Sequence, residues 1–294
     1  MPAGILVSIA IAACAAGVAC GSDNPAAAPP DSAPAQTVVA ADAAWIAALT
    51  GTDPATAGDA LDEDFEWTNS HGRTHTRGEA VLNLPGLAAD LRGETSIQRY
   101  DYGHVHVVTS AREGARLMRV WALRPEGWRA LGVIATTLVT GTTPFAASGA
   151  ATGDCDNPCR TMPYTPTSEN ARQIAAIFQR LKMDEWHPDP DDWAPYVLDD
   201  VYYVTETAQL SKADRVERLA ALKKSGAAST PGDPVVSMKI HDFGDSAVMI
   251  ARHTPYRGGD PYYSLRVWAF RDGRWQLANT QQTVIRSTQA ASAS

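Results

Sequence analysis

The sequence predicts two tandem α+β domains, on three observations. The stretch RVWALRPEGW, starting at Arg119, returns almost unchanged as RVWAFRDGRW, starting at Arg266, 147 positions later in a chain of 294 residues. In each half the apolar pattern passes from a helical period to strand alternation in the same order. Between the halves lies a stretch rich in Gly, Ala, Pro and Thr, at 141–167, with the character of a linker. The length suits about two domains, and 45% hydrophobic residues supply two ordinary cores.

The chain opens on an apolar run, Ile5 to Ala19, too short to span a bilayer comfortably and ending in small residues before Cys20-Gly21-Ser22-Asp23. This resembles a bacterial lipoprotein signal, with Gly17-Val18-Ala19-Cys20 as the lipobox. The resemblance implies a signal peptide at 1–20, lipidation of Cys20 and a lipid-anchored place in the cell envelope. Ile11-Ala12-Ala13-Cys14 is a competing lipobox, and an ordinary cleaved signal, giving a secreted or periplasmic protein, is the alternative. Residues 21–39, mostly Ala, Pro, Ser and Asp, have little to bury and are expected to be a disordered tether, as are 287–294 a disordered tail.

The two domains are placed at 40–140 and 168–286. Each begins with helical periodicity, at Trp45, Ile46 and Leu49 and again at Ile174, Ile177, Phe178 and Leu181. A short helix opening on Asp53-Pro54 or Asp189-Pro190 follows, then a strand at 65–69 or 201–205. Thr76-Arg-Gly-Glu79 and Ser211-Lys-Ala-Asp214 are capping boxes, in which a hydroxyl and a carboxylate satisfy orphan helix amides, so a third helix starts at each. Three strands in hairpins close each half. Helices followed by an antiparallel meander predict about three helices packed on one face of a curved antiparallel sheet.

In this order of elements, with "DEDFEW" or "DDVYYV" strands and a terminal "RVWAxRxxxxW" hairpin, both halves resemble the nuclear transport factor two-like (NTF2-like, cystatin-like) superfamily, in its SnoaL-like and DUF4440-like branches. The resemblance implies a cone-shaped fold. That fold hosts ketosteroid isomerase, limonene epoxide hydrolase, scytalone dehydratase, polyketide cyclases and many non-catalytic binders, so activity does not follow from it.

Charge and motifs exclude several classes. A net charge of −8 argues against nucleic acid, which needs clustered Lys and Arg. No Lys or Arg precedes Arg73, so any membrane link is covalent rather than electrostatic. Cys155 and Cys159 enclose Asp-Asn-Pro; in an exported chain such a pair is expected to be a disulfide, since two ligands do not complete a zinc site. Nucleophile elbow, phosphate loop, HExxH and dinucleotide fingerprint are all missing, and no cofactor is expected. His71, His75, His104 and His106 are expected to face solvent rather than a metal, and none is assigned.

The last hairpin defines the candidate site. A two-residue Asp272-Gly273 turn would set Phe270 opposite Trp275, Trp268 opposite Leu277, Arg266 opposite Asn279 and Ser264 opposite Gln281, all on one face. The same register in the first half sets Arg119 opposite Gly132 and Leu117 opposite Ile134. The second cone alone would then carry a converging polar set: Ser264, Arg266, Trp268, Asn279 and Gln281, with Tyr203 and Thr205 from the earlier strand. Apolar walls with a few directed polar groups suit a small, partly apolar ligand. Three functions stay open: a small-molecule binding protein, a cofactor-independent acid/base isomerase, dehydratase or cyclase, and a structural envelope protein. The opposite sheet face, with Leu265, Val267 and Ala269, is apolar enough to pack the domains into an intramolecular pseudo-dimer.

Overall fold

Both cores form where the helical stripes meet the inward residues of a sheet. The computed structural model describes residues 37–51, 54–139, 154–226, 231–254 and 260–286; the signal segment with Cys14 and Cys20, residues 21–36 of the tether and the tail lie outside the described residues, whereas Val38 and Val39, expected in the tether, open the first helix behind a Thr37 cap. The first domain runs α1 (Val38–Thr50), a 3₁₀ segment (Pro54–Ala60), β1 (Leu61–Thr68), β2 (Thr74–Thr76), α2 (Arg77–Val81), α3 (Leu84–Leu91), β3 (Thr95–Asp101), β4 (Val105–Arg112), β5 (Ala115–Arg124) and β6 (Gly127–Thr137). The second repeats it with α4 (Glu169–Trp186), α5 (Pro190–Trp193), β7 (Val197–Val204), β8 (Gln209–Leu210), α6 (Lys212–Ser225), β9 (Val235–Asp242), β10 (Ser246–His253), β11 (Tyr262–Arg271) and β12 (Arg274–Val284). These are two tandem α+β domains of one plan, each with helices and a six-stranded sheet, the fold class that the resemblance implies.

Both capping boxes form, Thr76 with Glu79 and Ser211 with Asp214. The third helix of the first domain, expected whole, is broken into α2 and α3. Pro85 disfavours helical backbone before it, and Asn83 takes φ −134°. No proline interrupts α6, which runs 14 residues to a left-handed Gly226.

The sheets are mixed rather than antiparallel. Strand order is β2-β1-β6-β5-β4-β3 in one and β8-β7-β12-β11-β10-β9 in the other. β1 pairs with β6, and β7 with β12, in parallel. The first strand reaches the meander through helices rather than a hairpin, which permits a parallel neighbour. Each meander has four strands, one more than the sequence suggests.

The terminal hairpin corrects the expected register. Asp272 (φ 52°) and Gly273 (φ 74°) make the turn, with Phe270 opposite Trp275 and Trp268 opposite Leu277. A bulge then leaves Val267 opposite Asn279, Arg266 opposite Thr280 and Ser264 opposite Gln282. The first domain carries the same bulge, so Arg119 faces Val133 and Leu117 faces Ala135. One extra residue exchanges the two faces of a strand. Arg266 and Ser264 therefore stay under the helices, while Asn279 and Gln281 turn to the opposite side.

That opposite side is the seam between the domains. Val105, Val107, Met118 and Val120 of the first sheet bury against Val248, Ile250, Leu265 and Val267 of the second. The fully buried Gln281 amide nitrogen shares its two protons among Arg116 O (2.9 Å), Ile134 O (3.0 Å) and Thr136 Oγ1 (2.9 Å). Thr136 and Thr283 hydroxyls meet at 2.7 Å.

Cys155 and Cys159 form a disulfide, in keeping with an oxidising, non-cytoplasmic compartment. Between them, the Asn157 side chain bonds both backbone groups of Val235 at 2.9 Å, covering part of the exposed edge of β9.

Candidate functional site

The two duplicated arginines occupy the same strand position and have different surroundings. Arg119, 2% exposed, is held inside the first cone by two carboxylates. Its Nε and Nη2 donate to Asp42 at 2.9 and 3.1 Å, and Nη1 donates to Glu94. Trp121 Nε1 adds a bond to Asp42 at 3.1 Å, and Ser110 Oγ one to Glu94 at 2.5 Å. Burial works against its charge, but Asp42 and Glu94 outweigh it and hold the guanidinium more firmly protonated than usual.

Arg266, 3% exposed, has no such partner. Among the described residues no carboxylate stands within ion-pair distance of it. Nη1 donates to Ser264 Oγ, both terminal nitrogens lie 3.4 Å from His253 Nε2, and the guanidinium carbon sits 4.9 Å from the centre of the Phe178 ring. In the first cone the covering helix offers Asp42; here it offers a ring. Desolvation lowers the pKa of Arg266, with only Tyr262, Tyr203 and Glu185 acting against it.

His253 completes this cluster. Nδ1 lies 3.2 Å from Asp233 O, which assigns the ring proton to Nδ1 and leaves Nε2 to accept from Arg266 and Ser264. Burial, and then the charge of Arg266, push its pKa far down, so the ring is neutral. Tyr262 stacks on it at 4.6 Å.

Beside Arg266 is a cavity of about 20 Å³, walled by Phe178, Lys182, Glu185, Trp193 and Tyr203. It has room for an occupant about the size of a water molecule. Glu185 bonds Lys182 Nζ (2.7 Å) and Arg215 Nη2 (2.6 Å). Burial alone would raise its pKa; the two cations bring it down to about 2. The one carboxylate of the lining is thus taken by Lys182 and Arg215, and Arg266 has none of its own there.

The adjoining Asp184 behaves oppositely. It is 7% exposed with Oδ2 unbonded, and burial, with Asp192 adding repulsion, raises its pKa to about 7. A carboxyl that holds its proton more tightly folded than unfolded contributes stability that is full below pH 3.8 and is lost as the pH rises to about 7. Asp184→Asn is expected to stabilise the protein by about 1–2 kcal/mol at pH 8 and by nothing at pH 3.5, as read from denaturant midpoints.

Of the residues singled out in the sequence, Ser264, Arg266, Trp268 and Tyr203 lie on the cone side. Tyr203 and Arg266 line the cavity, whereas Trp268 packs in the core. Thr205 caps its own turn through Thr207 and Ala208. Asn279 is buried beside Tyr102 of the first domain and Gln281 bridges the seam, so neither belongs to the cavity. His253, Lys182 and Glu185 were missed. Inward alternation of Ala247, Met249, Ala251 and His253 is the signal that would have found the histidine. His106 and His75, expected to face solvent, are buried under Trp128 and against Trp67.

No protein-family model matches this chain. No curated protein is significantly similar to it. Among solved structures it is similar to an NTF2-like protein from Cytophaga hutchinsonii (17% identity, 40% of this chain and 100% of that one, TM-score 0.34). It is also similar to an NTF2-like protein with a cystatin-like fold from Novosphingobium aromaticivorans (14%, 42% and 88%, 0.33). An uncharacterized protein with a cystatin-like fold from Caulobacter vibrioides gives 15%, 42% and 94%, and 0.32.

Proposed function

We propose that this is an exported, lipid-anchored binding protein whose second domain holds a compact anion at Arg266. The observation that carries the reading is a buried guanidinium with no carboxylate within ion-pair distance among the described residues, facing a cavity whose one lining carboxylate, Glu185, is already bonded to Lys182 and Arg215. Leaving such a charge unpaired costs stability, and an anionic occupant removes the cost. A cavity of about 20 Å³ suits a single-atom anion such as chloride better than the partly apolar molecule expected from sequence. Binding is favoured over acid/base catalysis because His253 is kept neutral and Glu185 ionised, so neither is poised to exchange a proton near neutrality. The apolar run before Cys20 and the Cys155–Cys159 disulfide support export.

A structural role is the second reading, favoured by how little space the cone leaves. Sodium chloride exchanged for sodium gluconate at constant ionic strength separates the two. Under the binding reading chloride raises the melting temperature of the parent and leaves that of Arg266→Met unmoved. An equal rise in both proteins sinks the anion site and favours the structural role.

A further inference from the structure

The duplication gives the seam two equivalent clefts, one on each side of the pseudo-two-fold axis, and they have diverged. In one, Glu66 on β1 faces Lys239, Ile250 and Tyr263 of the second domain. Glu66 Oε1 and Lys239 Nζ close it at 2.5 Å, and about 10 Å³ remains. The matching positions on the other side hold Tyr202 on β7 and Gln98, Thr109 and Arg116 of the first domain. The equivalence follows from register, since Glu66 pairs with Gly132 as Tyr202 pairs with Asn279, and Ile250 pairs with Lys239 as Thr109 pairs with Gln98. This second cleft has no ion pair across it among the described residues and keeps about 140 Å³.

Its groups are unspent. The Tyr202 hydroxyl is buried without a partner in a residue 4% exposed. Arg116 uses Nε on Gln209 Oε1 (3.3 Å) and Nη1 on Ala115 O (3.1 Å), leaving Nη2, and no carboxylate neutralises it among the described residues. Gln98 Oε1 accepts from Tyr100 (3.0 Å), which turns its amide donor to other use. One cation among neutral hydroxyls and amides is the chemistry for a carboxylate with hydroxyl groups rather than for a phosphate dianion, which calls for more positive charge. The volume takes on the order of six to ten non-hydrogen atoms.

We propose that the cleft lined by Gln98, Thr109, Arg116, Tyr202 and Gln209 is a binding site for a small hydroxycarboxylate, with Arg116 taking the carboxylate and Tyr202 a hydroxyl. It is separate from the cone of the second domain and independent of what that cone holds.

Titration calorimetry of the full chain with D-glycerate, a monoanion, tests it. Glycerate is expected to bind saturably, and propionate, which has the carboxylate without the hydroxyls, about tenfold more weakly. Tyr202→Phe removes a hydroxyl that bonds nothing in the fold and is expected to weaken glycerate about tenfold, and Arg116→Gln to abolish binding. Arg266→Met is expected to leave glycerate binding unchanged, which separates this site from the anion in the cone. Failure of glycerate to bind, or equal affinity in Tyr202→Phe and the parent, overturns the proposal.

Discussion

The same substitution at the two duplicated arginines moves stability in opposite directions. Arg119→Met lowers it by about 3–5 kcal/mol, because Asp42 and Glu94 stay buried with no cation to answer them. Arg266→Met raises it by about 1–2 kcal/mol, because it replaces an uncompensated buried charge with an apolar side chain that fits against Phe178. Urea denaturation of the two variants at neutral pH, with midpoints compared at matched slopes, gives the sign directly. A loss of several kcal/mol at Arg266 would mean that its bonds to Ser264 and His253 suffice to hold it, and the case for an anion there would collapse.

The second large effect belongs to the seam. Gln281→Leu keeps the volume but withdraws the amide from Arg116 O, Ile134 O and Thr136 Oγ1, leaving carbonyls buried between the sheets with less to accept. The expected loss is about 2–3 kcal/mol. Because the lost bonds run between domains, the parent is expected to unfold in one transition and the variant in a broadened or divided one, with each cone melting on its own. An unchanged, fully cooperative transition would show that the apolar seam alone couples the domains.

Much of this architecture was legible because it was written twice. Repetition of RVWA, two capping boxes and a helix-to-strand change of period fixed the order of elements, and the disulfide followed from spacing and export. The site was legible only in part. Arg266 was found because it ends an apolar alternation, but Asn279 and Gln281 were placed beside it by counting in twos through Ala278. A bulge has no reliable sequence signature when the extra residue is a small apolar one, and it sent both amides to the seam. The fate of the arginines was equally hidden, since Asp42 and Glu94 lie 77 and 25 positions from Arg119 and only the fold brings them together. Parallel pairing of β1 with β6 escaped for the same reason, as alternation says nothing about strand direction.

Joining the two cones in one chain also has a consequence for how they diverge. In a dimer of identical subunits every substitution appears on both flanks, so a lock such as Glu66–Lys239 would shut both sides at once. A fused pair escapes that rule: one flank is free to serve as a fastener while the other stays unlatched, and adhesion between the halves need not compete with recognition.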